Sequence, residues 1–391
     1  MRHLSAYVLV IASLMGLSSV AVACMWDYDT IRMERTRFPG TLELITGKFL
    51  RHSPEFYQWR IANRLKRLET DPTNVAWLDD LAVAYDKTGQ HDKAIATAIT
   101  TEKRKPGRYE TAANLGTFYF HAGKLEEGLP HIDRALKINP NAHFGREKYQ
   151  KLLVEYVIER RKGGPLKLPL ANVDVSENRV RESKSAHEVT IGSTFEEFLC
   201  VKIQHERHKP EIIAEAIKGV TGMMKFGKHD SPVLLEVLGT LLPERLKPQT
   251  DAKLLAVRAF LKASYDVPEG PTRVAYRGMA ANALYMQTPR DATAQISLER
   301  VEADFQKELT EAEAWYAALH ERELSWIRDG KDLEAEFDKL YETEPEVSGM
   351  DATDPPEMWK TKVRVTIIVV IAVAILIGGL FLLVKLVRRI F

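Results

Sequence analysis

Residues 81–106, LAVAYDKTGQHDKAIATAITTEKRKP, and residues 115–140, LGTFYFHAGKLEEGLPHIDRALKINP, carry one pattern twice. Leu81 answers to Leu115, Ala82 to Gly116, Tyr85 to Tyr119, Ala94 to Gly128, Ala98 to Ile132 and Pro106 to Pro140, every pair 34 positions apart. The spacing predicts two helical hairpins. Small residues at Ala82 or Gly116 and at Ala94 or Gly128 let the two helices of a hairpin approach, and Tyr85 and Tyr119 wedge between hairpins. Thr88-Gly89-Gln90 and Ala122-Gly123-Lys124 form the turns, where glycine can take a positive φ. Pro106 and Pro140 stop the second helices.

A 34-residue period with small, aromatic and proline positions in this order resembles the tetratricopeptide repeat. The resemblance covers residues 75–142 and implies an all-α solenoid that takes up a peptide on its concave face. That face would be lined by the first helix of each hairpin: Ala76, Asp79, Asp80, Val83 and Asp86, then Glu110, Ala113, Asn114, Thr117, Phe120 and His121. Repeats of this family that clamp a terminal carboxylate use Lys, Arg and Asn there. Asn114 fits that use, whereas three aspartates oppose it, so a neutral or basic protein segment is the expected partner.

Weaker copies extend outward. Residues 24–74 hold a degenerate hairpin, with Pro72 one period before Pro106 and Ser53-Pro54 as a helix start. Helix 144–161 reads as a cap on the solenoid's last face, closing a unit at 75–162. Residues 163–193, rich in Gly, Pro, Ser and Asn, read as a linker or a loose two-stranded insert. A second helical block, 194–341, repeats the hairpin spacing in Leu238-Gly239, Ala256, Phe260, Ala263 and Pro268, with Gly278 placed after Pro268 as Gly116 is after Pro106. Within it, Leu298, Phe305, Ala312, Leu319, Trp326, Leu333 and Leu340 recur by sevens. This is read as a long helix packed along the repeats and broken at Gly330, with an oligomerising stalk through 296–328 as the alternative. Residues 342–360 form an acidic, Pro-containing spacer.

The two ends of the chain point to membranes. Residues 1–23 have the short basic start, apolar run and Ala21-Val22-Ala23 ending of a signal peptide. Cys24 follows directly, where a lipoprotein would be acylated, but Ala21 stands where such signals carry Leu. Residues 365–384, VTIIVVIAVAILIGGLFLLV, hold 20 uncharged positions, about 30 Å of helix and enough to span a bilayer. The flanks of 361–387 tie in basic residues, and the signal peptide orients the span. The expected location is therefore a single-pass anchor in a bacterial inner membrane, with the bulk outside the cytoplasm and a short basic tail, 388–391, inside.

The formal charge of the 391 residues is +1, from 55 basic and 54 acidic side chains. Setting aside Arg2 and the six Lys/Arg of 360–391 leaves 48 basic against 54 acidic, an acidic body with no footprint for nucleic acid. Two cysteines exclude a disulfide scaffold or a four-cysteine zinc module, although Cys24 and Cys200 could pair in an oxidising compartment. Cys200, His205 and His208 form a C-x4-H-x2-H cluster that fits no zinc module. A metal-dependent or redox enzyme using those three residues is the alternative function. No nucleophile elbow, phosphate loop or dinucleotide fingerprint occurs. In CMWDYDT (24–30), Trp26 reads either as part of a ligand site or as a pin onto the solenoid. The reading is thus an exported, membrane-anchored interaction or scaffold protein: all-α, with a repeat solenoid in two blocks and a C-terminal transmembrane helix, not an enzyme and without a cofactor.

Overall fold

A computed structural model describes residues 25–28, 30, 38–140, 142–175, 189–203, 210–244, 250–285 and 296–343, all within one compact unit. Its helices are α1 (Thr41–Thr46), α2 (Pro54–Thr70), α3 (Val75–Lys87), α4 (His91–Arg104), α5 (Tyr109–His121), α6 (Leu125–Ile138) and α7 (Arg146–Arg161). A strand pair, β1 (Asn172–Val175) and β2 (Val189–Gly192), follows. Then come α8 (Phe195–Lys202), α9 (Pro210–Phe226), α10 (Pro232–Leu241), α11 (Thr250–Tyr265), α12 (Pro271–Tyr285), α13 (Leu298–Arg328) and α14 (Leu333–Thr343).

The hairpins α3–α4 and α5–α6 are superposable in sequence to the residue, since both starts and both ends differ by 34. Each turn is made by a glycine at φ +75°, Gly89 and Gly123, a conformation that costs other residues strain. Within α5–α6 the backbones meet closely. A Cβ on Gly116 would lie 2.4 Å from Ile132, and one on Gly128 would lie 2.4 Å from Phe120. The α10–α11 hairpin uses the same device, because a Cβ on Gly239 would sit 2.6 Å from the Phe260 ring. Local signals set the helix starts. Ser53 accepts from Phe56 N ahead of Pro54, Asn74 accepts from Trp77 N, and Ser297 accepts from Arg300 N.

Several expectations are corrected. Helix α7 does not close the solenoid. Its Tyr149 and Arg146 press against Gly219 and Gly222 of α9, so the two blocks run on through it. Gly278 of α12 does not receive a further repeat helix; Val175 and Val189 of the β-hairpin pack there. That hairpin is antiparallel, with Asn172 opposite Gly192 and Val175 opposite Val189, and adds a strand pair to the helices of the described residues. The transmembrane helix of the expected fold class is also corrected: among the described residues no helix is long and apolar enough to cross a membrane. The stretch 365–384 lies outside the described residues, as do the signal-peptide residues 1–23.

The heptad face of α13 is covered by its own chain. Val301, Phe305, Leu309, Ala312, Leu319 and Trp326 are buried, and Glu308, a polar residue in that register, pairs with Arg258 through two 2.7 Å bonds. Past Gly330 the chain reverses, and α14 lays Leu333, Phe337 and Tyr341 into an aromatic cluster with Phe56, Phe226 and Trp326. His52 stacks on Phe56 at 3.6 Å, with Phe337 edge-on at 4.2 Å. Helix α14, the last among the described residues, is thereby fixed beside α2.

Candidate functional site

The concave side of α3 and α5 is where the resemblance places a peptide, and it is already occupied by the chain's own amino-terminal segment. Asn114 holds the main chain of Trp26 at two points: Trp26 N donates to Oδ1 at 2.7 Å, and Nδ2 donates to Trp26 O at 2.9 Å. One residue pair further on, Tyr28 N donates to Asp80 Oδ1 at 2.9 Å. Met25 enters the core beside Val83 and Ala82, and Trp26 packs on Ala113 and edge-on to Tyr109. Asp27 then turns the chain, Thr30 N donating to Asp27 O at 3.2 Å and to Oδ1 at 3.1 Å, so polar side chains hold the backbone of a bent segment while pockets take its side chains.

The three aspartates that made the groove look acidic are buried and matched. Asp80 Oδ2 accepts from Arg64 Nε at 2.8 Å. Arg60 bridges Asp27 at 3.0 Å and Glu334 of α14 at 2.9 Å, and Arg64 also reaches Glu334. Both arginine side chains are essentially fully buried, at 0% and 2% exposure. Burial raises the Asp80 carboxyl, opposed by Arg60 and Arg64. Asp79 receives Arg108 at 2.7 Å, yet burial pushes its carboxyl up to about 7. Asp86 lies between His121 and His91, at 2.6 Å and 2.8 Å. Burial works to raise it, but the two imidazoles outweigh that effect and hold it at about 2.

The remaining residues of the expected groove are distributed along this face without forming an open surface. Thr117 is buried and accepts from Gln150 Nε2 at 3.0 Å; Phe120 fills the space over Gly128; Glu110 is half-buried beside Arg108 at 3.6 Å. Ala76 alone among the eleven is exposed. It lies on the rim of a cleft of about 530 Å³ between α2, α3, the 26–28 segment and α14. Six carboxylates line that cleft (Asp27, Asp79, Asp80, Asp332, Glu334 and Asp338) against Arg64, Arg67 and Arg108, with Arg60 beneath. Trp26, Trp77 and Tyr28 supply its aromatic edges, and the Arg67 guanidinium stands 5.6 Å from the Trp77 ring.

Arg60, Arg64, Glu334 and Asp338 were not singled out from the sequence. The available signal was the i, i+4 stripe Phe56, Arg60, Arg64 on a helix; nothing local announced that α14 would supply the acids. Of the alternative metal cluster, Cys200 lies on α8 with Sγ 3.2 Å from Glu196 Oε1. His205 and His208 lie outside the described residues, as does Cys24. Compared with protein-family models and with curated proteins, the chain matches none.

Proposed function

We propose that the chain is an exported helical-repeat interaction module of the tetratricopeptide type. It takes a neutral or basic segment of a partner protein into the acidic, aromatic-edged cleft between α3 and α14. The observation that carries this reading is the manner in which residues 25–28 are held. Asn114 and Asp80 grip the backbone of a short stretch that turns at Asp27, and its Trp26 and Tyr28 line the cleft. The equal 34-residue offset of four helix boundaries supports the repeat type. The excess of carboxylates supports the sign of the partner's charge. Export rests on residues 1–23.

The test is fluorescence anisotropy of the full chain against extended peptides of equal length whose net charge runs from negative to positive. Affinity should rise with positive charge, and it should fall at least tenfold in Ala76→Arg, which places a cation on the rim without touching the core. Equal affinity for acidic and basic peptides, or indifference to Ala76→Arg, would remove the cleft as the recognition surface.

A further inference from the structure

The turn ends of the two repeats bring Asp86 and His121, two residues of the expected groove that lie outside the cleft described above, together with His91. Asp86 comes from the last turn of α3, His91 opens α4, and His121 closes α5. One carboxylate oxygen and one ring nitrogen from each histidine all lie within 4.8 Å of one another. Tetrahedral zinc with bonds of about 2.0–2.2 Å holds its ligand atoms roughly 3.3 Å apart, so small side-chain rotations suffice to close the set on one ion. The three supports are also rigid: each lies on a helix whose position is fixed by the hairpin packing described above.

The surroundings favour an occupant. His121 is nine-tenths buried and turns its Nδ1 to Asp86 at 2.6 Å, while its other ring nitrogen, Nε2, has no hydrogen-bond partner among the described residues. Asp86 is buried with both oxygens directed at the imidazoles, whose rings stand 6.0 Å apart. His91 is 29% exposed, which leaves the set reachable from solvent. The neighbouring Lys87 has its amine committed to Phe226 O at 2.7 Å and Gly227 O at 3.1 Å. Two imidazoles and one carboxylate suit a borderline divalent ion such as zinc better than calcium or magnesium, which take oxygen donors.

We infer that Asp86, His91 and His121 form a binding site for a divalent transition metal of the zinc type, with protein ligands at three positions and the rest open to water or a partner's side chain. Bound there, the ion would tie the first repeat to the second across the α3–α5 junction, adding to stability by mass action.

The experiment is a Zn²⁺ titration of the tag-free full chain in competition with a chromophoric chelator, repeated with Co²⁺ to record the visible ligand-field bands. Wild type should bind one equivalent tightly and gain thermal stability. His91→Gln, a change at a partly exposed first helical position, should lose at least tenfold in affinity and lose the cobalt bands while keeping its helical circular dichroism. His121→Gln should behave likewise. No binding by the wild type would overturn the site. So would unchanged affinity in both single variants, or binding abolished only in a His205→Gln/His208→Gln double variant.

Discussion

In the α10–α11 hairpin the helices meet over hydrocarbon: Leu234, Leu235, Leu238, Ala256, Phe260 and Ala263 are all buried, with Glu236 the buried carboxylate of α10. Where α2, α3 and α14 meet, the contact is made of Arg60, Arg64, Asp27, Asp80 and Glu334. The glycine-mediated close approach is the same in both blocks, so the hairpin geometry does not dictate which chemistry closes the structure. The difference lies in what must be joined. The apolar block pairs helices that are neighbours in sequence, and any well-shaped side chains serve. The charged junction gathers segments 27, 60–64, 80 and 334 from distant parts of the chain, and its fixed donor geometry admits one arrangement. A buried ionic cluster as a device for register, rather than for raw stability, is the reading that fits.

Arg64→Ala is the strongest way to break that comparison. It strands the Asp80 carboxylate in a buried setting and leaves Glu334 to Arg60 alone, and a loss of about 3–5 kcal/mol is expected. Leu238→Ala in the apolar block should cost about 2–5 kcal/mol through a cavity. The two are separated by pH in urea unfolding. Acidification neutralises the stranded Asp80 carboxylate and should shrink the cost of Arg64→Ala, while Leu238→Ala should keep its cost. Parallel behaviour of the two variants would mean that the cluster acts through packing alone.

Glu236 is the exception inside the apolar block and gives the next effect. It accepts from Leu170 N at 2.8 Å, Ala171 N at 2.7 Å and Tyr276 Oη at 2.9 Å, yet burial raises its carboxyl from 4.5 to about 7. A raised acid binds its proton more tightly folded than unfolded. Its contribution is therefore full below about 4.5 and is lost as pH climbs through about 7, about 3 kcal/mol in all. Stability measured by urea at intervals between pH 4.5 and 8 should fall along this limb. In Glu236→Gln the limb should become shallower, the remaining slope belonging to Asp79, whose carboxyl burial also raises to about 7, with an added pH-independent offset from the mismatched amide. An unchanged limb would assign the slope to the charged junction instead.

Smaller and equal effects are expected where the blocks agree. Gly116→Ala and Gly239→Ala each improve helix propensity by about 1 kcal/mol, but each forces a Cβ to within 2.4–2.6 Å of Ile132 or Phe260. A net loss of about 1–2 kcal/mol in both is expected by thermal unfolding. A gain in either would mean that its partner ring or methyl moves aside freely.

What could be read in advance follows the same division. The hairpins were legible because a 34-residue recurrence of Ala82/Gly116, Ala94/Gly128 and the turn glycines is a local, repeated constraint. Gly239 with Phe260 was legible for the same reason. The heptad positions Phe305, Ala312, Leu319 and Trp326 marked the buried face of α13. The state of the groove was not legible. Asp79, Asp80 and Asp86 look like solvated carboxylates in a helix read alone, and only the distant Arg60, Arg64 and Arg108 and the Asp86-facing histidines decide otherwise. Pairings between residues hundreds of positions apart, such as Arg60 with Glu334, leave no periodic trace. The fate of Gly278 was misread for a related reason: a small residue advertises a close neighbour without naming it, and here the neighbour is a β-hairpin.

Asn114→Ala gives a change in stability no larger than these and the sharpest view of the first block. It removes two hydrogen bonds to the Trp26 backbone, about 1–2 kcal/mol together, and leaves the hairpin core of Leu115, Phe118 and Ile132 untouched. The loss should therefore be local rather than global. Proteolysis and amide exchange should rise in residues 25–28 while α3–α6 keep their protection. Release of that segment also lengthens the cleft toward Ala113, so a basic peptide should bind Asn114→Ala more tightly than wild type, the resident stretch no longer covering that end of the cleft. Tighter binding with a loosened amino-terminal segment would identify residues 25–28 as an internal ligand. Loosening with weaker binding would make Trp26 and Tyr28 part of the partner's own pocket, and the segment would count as a wall of the site instead of its occupant.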